Sequence, residues 1–162
     1  MLRRILSIIF LVVLAVCVGG YFIFIHFDIS ALAQPNRVET YLATQAKHRL
    51  IARAAQQSLP AETPDTKDNQ TEGHVLYGSL CASCHGYDGR TVTPLGNSFY
   101  PPTLSLASGD VQQYSNAELF VVIRGGIRLS GMPAFGNAHS STEIWSLVHY
   151  VRSLPSAPSR TH

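Results

Sequence analysis

The sequence predicts an all-α protein, in which two N-terminal helices precede a small helical domain with long loops. Two segments of the capping-box form Ser-x-x-Glu, Ser115–Glu118 and Ser140–Glu143, each open a run of apolar residues at three- and four-residue spacing. An almost unbroken apolar run near the N-terminus predicts a further, longer helix. No segment shows the convincing alternation of apolar and polar residues that a half-buried strand requires.

Composition restricts the function classes. The 162 residues carry a formal net charge of +2, which gives no reason to expect a nucleic-acid partner. The length allows one ordinary domain with appendages. Three cysteines are too few for a disulfide framework, and Cys81 and Cys84 stand three positions apart. That spacing indicates a redox motif, a metal site or haem attachment.

Residues 1–28 are predicted to be a transmembrane signal-anchor. The stretch from Ile5 to Phe27 is almost entirely apolar, and at about 1.5 Å of rise per residue it can cross a hydrocarbon core of about 30 Å. The basic pair Arg3-Arg4 predicts that the N-terminus stays in the cytoplasm. Everything after residue 28 is then expected on the periplasmic side of the cytoplasmic (inner) membrane.

A cleaved signal peptide is the alternative interpretation of this segment. Ala31-Leu32-Ala33 has the small-x-small form of a cleavage site, which would give a mature N-terminus at Gln34. The apolar core of a cleaved peptide is normally about 7–15 residues long, so the length of the observed run favours the anchor.

Residues 29–58 are predicted to contain a juxtamembrane helix. Apolar residues recur there at helical spacing with basic residues among them: Val38, Tyr41, Leu42, Ala46, Leu50 and Ala54, with Arg37, Lys47, Arg49 and Arg53. The helix either lies on anionic lipid or a partner subunit, or serves as a spacer with a solvated charged face. The spacer interpretation is slightly favoured.

Residues 59–70 are predicted to be a flexible linker, because proline and polar residues dominate and little can be buried. A compact domain is expected over residues 71–156, followed by a tail at 157–162. Its first helix is expected over Glu72–Cys81, with Thr71 as the N-cap and one apolar face of Val75, Leu76 and Leu80. The last helix is expected to bury Ile144, Trp145, Leu147, Val148, Val151 and Leu154.

The segment Cys81-Ala82-Ser83-Cys84-His85 has the form of a c-type haem attachment motif. Each thiol adds to one vinyl group of the porphyrin, and the adjacent histidine then ligates the iron. A zinc site would need two more soft ligands, and the remaining cysteine, Cys17, lies in the apolar run. A thioredoxin-like motif would need a βαβ setting, which the sequence lacks. One covalent haem c is therefore predicted.

Met132 is the predicted second axial ligand of the iron. It stands in Gly131-Met132-Pro133, a loop in which methionine is poorly placed to fill a core. Gly131 is expected to allow close approach of the backbone to the porphyrin, and Pro133 to stiffen the loop. The alternative ligands have no supporting motif and are expected at surface or capping positions: His74, His139 and His149.

Five stretches of the domain carry a resemblance to one known family: Gly73-x-x-x-Tyr77, Cys81-x-x-Cys84-His85-Gly86, Pro101-Pro102-Thr103-Leu104, Gly131-Met132-Pro133-Ala134-Phe135 and Trp145-x-x-x-x-Tyr150-x-Arg152-x-Leu154. From Gly73 to Leu154 the sequence resembles the class I cytochromes c. The resemblance implies helices and long loops around one haem.

The same resemblance implies two contacts within the domain. The first and last helices would cross where Gly73 and Tyr77 meet the region of Tyr150. A proline carbonyl, of Pro102 or else Pro101, would accept a hydrogen bond from the proximal imidazole and fix its orientation.

A haem ligated by both His85 and Met132 offers no vacant position to a substrate, and methionine ligation raises the reduction potential. The ligand pair therefore predicts single-electron transfer, as a carrier or electron-accepting subunit and not as an enzyme. The arrangement of anchor, short helix, linker and haem domain resembles membrane-anchored cytochromes of respiratory dehydrogenases and oxidases, which implies a respiratory or dehydrogenase-linked chain. The expected partners are the membrane and redox proteins such as a dehydrogenase or terminal oxidase. The alternatives are a haem sensor or peroxidase-like enzyme with a displaceable sixth ligand, and a purely structural haem subunit.

Overall fold

The computed structural model describes residues 2–26, 28, 30, 33 and 35–154. It divides into two units: residues 1–33, with helix α1 (Leu2–Ile25), and the remainder from Gln34. The second unit contains α2 (Arg37–Ala55), α3 (Lys67–Leu80), α4 (Ala82–His85), α5 (Pro94–Asn97), α6 (Gly109–Gln112), α7 (Asn116–Gly125) and α8 (Ser141–Ser153). All regular elements in these ranges are helical, which confirms the predicted all-α class. The predicted tail and the cleavage-site residues Ala31, Leu32 and Gln34 lie outside the described residues.

Helix α1 is long and apolar enough to cross a membrane, by length and composition. None of its 24 residues is buried within the structure, as expected for side chains that face lipid. A secretory signal sequence would satisfy the same two criteria. The predicted span is therefore found as a helix, and the choice between anchor and cleaved signal stays a prediction.

Helix α2 belongs to the second unit and packs against α7. Asn36 caps its N-terminus, because the side-chain oxygen accepts a hydrogen bond from the Glu39 amide at 2.8 Å. Ile51 is its buried side chain, and the His48 ring stacks on Tyr114 with centroids 5.0 Å apart. The apolar residues that the sequence pattern singled out are exposed instead: Val38, Tyr41, Leu42 and Leu50. The helix is thus part of the haem-motif unit and not a separate spacer.

Helix α3 begins at Lys67, earlier than the predicted Glu72, because Thr66 is its N-cap and accepts from the Asn69 amide at 3.2 Å. The last residues of the predicted linker are therefore helical. The residues before them contact α8: the Nε2–H group of His149 donates to the Thr63 carbonyl at 2.8 Å. His149 is only 1% exposed, so the expectation of a surface or capping role for it is wrong.

Helices α3 and α8 cross at Gly73, as the family resemblance implied. A Cβ atom at Gly73 would lie 2.0 Å from the carbonyl oxygen of Ser146, so no other side chain fits at this crossing. The Tyr77 and Tyr150 rings pack beside it with centroids 4.9 Å apart. Within α3, Val75 is exposed, contrary to the predicted apolar face, because the helix turns Gly73 and Tyr77 inward.

Helices α7 and α8 begin where the capping boxes predicted. Ser115 and Ser140 are the N-caps. In each case the carboxylate of the glutamate three residues later accepts a hydrogen bond from the backbone amide of the cap. Trp145 stacks on Phe120 with ring centroids 4.3 Å apart. The predicted buried face of α8 is confirmed at all six positions: Ile144, Trp145, Leu147, Val148, Val151 and Leu154.

Replacing Ser140 by alanine is expected to lower the free energy of unfolding by about 1 kcal/mol, because the Glu143 amide loses its capping oxygen. The matched control is Thr142→Ala in the same first turn. Its exposed side chain predicts a change within about 0.5 kcal/mol. Urea unfolding of both variants, followed by circular dichroism, compares them. Equal stabilities would contradict the capping role.

Candidate haem-binding site

Backbone hydrogen bonds bring the attachment motif onto one wall of a cleft. Cys81 ends α3, and its carbonyl oxygen accepts from the amides of Cys84 at 3.1 Å and His85 at 2.9 Å. This single helical turn places both sulfur-bearing side chains and the imidazole along the same cleft. Nothing beyond the spacing of the motif is needed to produce this arrangement.

The cleft has a volume of about 300 Å³ and is bounded by α2, α3, α7, α8 and the loops between them. Most of its lining side chains are apolar, among them Leu80, Leu119, Val122, Ile123, Ile127 and Leu147. Such a lining excludes water from a flat aromatic group. All five sequence-predicted site residues line this cleft: Cys81, Cys84, His85, Pro102 and Met132.

The orientation of His85 is set by a backbone carbonyl. Its Nδ1 lies 2.9 Å from the Leu104 oxygen, so Nδ1–H donates and Nε2 keeps its lone pair. Burial lowers the pKa of His85, and the hydrogen bond to Leu104 opposes this only in part. The imidazole is therefore held neutral, the form that ligates iron.

The carbonyl that holds His85 belongs to Leu104 and not to Pro102 or Pro101, so that predicted role is wrong. The loop after the motif explains the difference. The Thr93 amide donates to the Cys84 carbonyl at 3.1 Å, and the Thr103 amide donates to Gly96 at 3.0 Å. These bonds fold the loop back on α4 and bring the Leu104 oxygen to the imidazole. Both prolines remain in the cleft lining.

Two further groups fix the turn that follows the motif. The buried Tyr77 hydroxyl donates to the Gly86 carbonyl at 2.6 Å, and burial raises the pKa of Tyr77. The Asp88 carboxylate accepts from the Arg90 and Thr91 amides, each at 2.8 Å. Hydrogen bonds from Thr91 and Arg90 lower the pKa of Asp88 to about 2. These hydrogen bonds fix the turn that directly follows His85.

Met132 reaches the cleft from the loop between α7 and α8. Its amide donates to the Ser130 hydroxyl at 3.2 Å, and its carbonyl accepts from the Ile127 amide at 3.2 Å. Gly126 turns the chain with φ of +66°, where a Cβ would lie 2.8 Å from the Met132 carbonyl oxygen. A Cβ at Gly131 would lie 2.6 Å from the Phe99 ring, so in this structure the close neighbour of Gly131 is Phe99.

The rival histidines lie elsewhere. His74 stacks on Tyr150 with ring centroids 4.9 Å apart, and His139 lies 3.5 Å from the Glu143 carboxylate. Of the histidines that the structure describes, His85 alone lines the cleft. Within the described ranges no three His, Cys, Asp or Glu side chains are arranged to hold a metal ion, so the zinc alternative finds no ligand set there.

The Cys81 side chain is half-buried. Burial, and to a smaller extent the neighbouring Cys84, raises the pKa of Cys81 to about 12. Neither residue forms a disulfide. Both sulfurs are therefore free for covalent attachment.

Comparison with known proteins identifies the domain. A family model described as cytochrome c oxidase, cbb3-type, subunit III matches residues 68–151, which is half of the chain. The chain belongs to this family. The matched segment of this cytochrome contains the attachment motif, Leu104 and Met132. Membership implies covalently bound haem c and electron transfer, in agreement with the sequence-based prediction.

The cytochrome also resembles individual proteins. It is 33% identical over 99 residues to the Cbb3-type cytochrome c oxidase subunit FixP of Azorhizobium caulinodans, over 59% of this chain and 29% of that protein. The chain therefore spans less than a third of that relative. A chain of the reducing HAO-like protein complex of Kuenenia stuttgartiensis shares the fold, with a TM-score of 0.54 and 23% identity. That match covers 62% of this chain and 50% of the other.

The residues of the cleft fit a haem c. Two free thiols, a neutral imidazole and a thioether line one largely apolar cavity, which is the donor set that the cofactor requires. Four residues that also line it were not predicted as site residues from the sequence: Leu104, Tyr114, Lys47 and Ile51. Leu104 acts through its backbone and has no side-chain signal. Tyr114 could have been suspected from its place directly before the Ser115 capping box.

Proposed function

We propose that this cytochrome is an electron carrier or electron-transfer subunit whose single haem is ligated by His85 and Met132. The observation that carries the proposal is that one apolar cleft collects both cysteines, the imidazole and the thioether, although Met132 is far from the motif in sequence. None of the described rival histidines lines the cleft.

The proposed roles follow from the chemistry of each side chain. Cys81 and Cys84 would hold the cofactor by thioether bonds, and His85 Nε2 and Met132 Sδ would ligate its iron. When bound, haem supplies an iron that accepts and releases one electron at a time. Leu104 keeps the imidazole neutral and oriented, and the apolar lining keeps water from the centre. The soft thioether favours the reduced iron.

The same ligand pair supports a carrier and not an enzyme. If His85 and Met132 both ligate the iron, no coordination position would remain for a substrate or gas. The half-buried Met132 is held by its loop through Ser130 and Ile127, which resists displacement. We therefore assign the catalytic chemistry of any larger complex to other subunits.

The location and the partners are part of this proposal. Arg3 and Arg4 lie in the first turn of α1, which supports an N-terminus in the cytoplasm and a haem domain on the periplasmic side of the cytoplasmic membrane. One relative is named as a subunit of a cbb3-type oxidase, which supports a terminal oxidase or another membrane redox enzyme as the partner. From Thr71 onward the sequence has no lysine, so we expect a small, mainly apolar contact and not a lysine-ringed docking face.

The direct test replaces both Cys81 and Cys84 by serine in the full chain. Haem should then be completely extractable with acidified acetone, because no thioether bond remains. The matched control is Cys17→Ser, which removes the third cysteine, exposed on α1. In the control, haem should stay with the protein. Covalent haem in the double variant would overturn the site assignment.

A further inference from the structure

Helix α2 forms one wall of the cleft although it precedes the family-matched segment, residues 68–151. Lys47 and Ile51 line the cleft from this helix. The wall is fixed by packing, since Ile51 is buried and His48 stacks on Tyr114. The family relationship alone therefore gives no role for these residues.

Tyr114 presents a buried hydroxyl without a partner. The residue is 8% exposed and lines the cleft, and its hydroxyl forms no hydrogen bond with any described group. A buried hydroxyl without a hydrogen bond destabilises the protein, so an acceptor is expected opposite it in the haem-loaded protein. The Arg152 guanidinium bonds the Tyr114 carbonyl, which fixes the residue in this position.

Lys47 provides a second hydrogen-bond donor in the lining of the cleft. Its side chain is half-buried at the cleft, and none of the described carboxylates lies within 4 Å of its amine. It is the one Lys or Arg residue among the described residues that line the cleft. A partly buried ammonium group beside an apolar cavity is stabilised by an anion placed within that cavity.

Haem itself carries such an anion. Its two propionate carboxylates leave the ring on the side away from the vinyl groups, and the vinyl side is the one that Cys81 and Cys84 would hold. The carboxylates are therefore directed to a part of the cleft away from the cysteines. An ammonium group and a phenol hydroxyl are both donors to a carboxylate, and such charge-assisted hydrogen bonds are the stronger kind.

We propose that Lys47 and Tyr114 together bind a haem propionate, so that α2 is a part of the haem site. This inference rests on the proposed function. It assigns a positioning role to two side chains: Lys47 holds the carboxylate in its ionised form, and Tyr114 donates the hydrogen bond for which it has no protein acceptor.

Other charged groups near this pair belong to α6, α7 and α8. Burial raises the pKa of Tyr114, and the Glu118 and Asp110 carboxylates raise it further. The Tyr114 hydroxyl therefore stays protonated and available as a donor at neutral pH. The His48 ring faces Tyr114 from α2, and Arg152 reaches its carbonyl from α8. Lys47 is the cation that reaches the cleft itself.

The first experiment uses the only two lysines of the sequence, Lys47 and Lys67. The haem-loaded full chain in mild detergent is acylated at its amines, and each lysine is quantified by mass spectrometry. An ion pair at Lys47 predicts labelling about tenfold slower than at the exposed Lys67. In Tyr114→Phe the labelling of Lys47 should become faster. Equal labelling of both lysines in the parent overturns the proposal.

The second experiment measures the reduction potential against pH, which a purely structural role would not change. Ionisation of a propionate stabilises ferric iron, so the potential falls as pH rises through the propionate pKa. A nearby cation lowers that pKa. In Lys47→Gln the fall should therefore move to higher pH by about 1–3 units. Arg49→Gln removes the same charge from an exposed position on α2 and should leave the profile unchanged.

The controls separate this inference from the function on which it rests. Loss of covalent haem, or absence of the sulfur-to-iron absorption band in the parent, contradicts the proposed ligands. With those intact, identical pH profiles for Lys47→Gln and Arg49→Gln overturn the propionate site alone. If Lys47→Gln changes the spin state of the iron, Lys47 acts at the metal, and the propionate role is equally overturned.

Discussion

Replacing Met132 by alanine is expected to remove the weak sulfur-to-ferric-iron absorption band while haem stays covalently attached. The sixth position then opens to water, cyanide or carbon monoxide, and peroxidase-like activity follows. In Met132→His an imidazole takes the position, and the reduction potential should fall by roughly 0.2 V, within the roughly 0.8 V range that axial ligands span. Absorption spectra with and without added ligand, and redox titration, measure both effects.

The matched control for Met132 is Leu129→Ala in the same loop. Leu129 is 90% exposed and lies outside the cleft lining, so its loss should change neither the band nor the potential. A parent protein that lacks the band and binds carbon monoxide rapidly would refute methionine ligation. The sensor or peroxidase-like alternative would then explain the site better.

Replacing Gly73 by alanine is expected to destabilise the protein by about 3 kcal/mol or more, at the upper end of the usual cost of overpacking. The new Cβ would lie 2.0 Å from the carbonyl oxygen and 2.6 Å from the carbonyl carbon of Ser146. Both are backbone atoms of α8, so relief requires the two helices to separate. Chemical unfolding of the haem-loaded chain, followed by haem absorption, measures the loss.

Gly78→Ala is the matched control on the same helix. Nothing lies within 4 Å of a Cβ at Gly78, so alanine should stabilise α3 by about 0.5–1 kcal/mol. The pair therefore predicts changes of opposite sign for the same chemical substitution. If Gly73→Ala unfolds at the same denaturant concentration as Gly78→Ala, the tight crossing of α3 and α8 is refuted.

Local signals predicted the parts of the fold that local interactions decide. The starts of α7 and α8 follow from Ser115 and Ser140, because a capping box is complete within four residues. The attachment motif is equally local, since one helical turn brings Cys84 and His85 beside Cys81. Each of these features can be recognised without knowing what packs against it.

The features that the sequence did not predict depend on distant partners. Nothing near Leu104 shows that its carbonyl meets His85, because every residue carries a carbonyl and the loop fold selects one. His149 is buried because Thr63, far away in sequence, accepts its hydrogen bond. The pattern in α2 favoured Val38 and Leu42 as the apolar face, whereas contact with α7 buries Ile51. Long-range packing decided each case.

The docking of α2 affects how this protein should be divided for expression. A fragment trimmed to the family-matched segment would start near Asp68 and keep the attachment motif and Met132. It would nevertheless lack the cleft side chains Lys47 and Ile51, and the Thr63 carbonyl that satisfies His149. Water could then enter the cleft where α2 covers it in the full chain. The shortest fragment that keeps the complete cleft therefore begins before Asn36, the N-cap of α2. A fragment boundary chosen from the family match alone would remove α2.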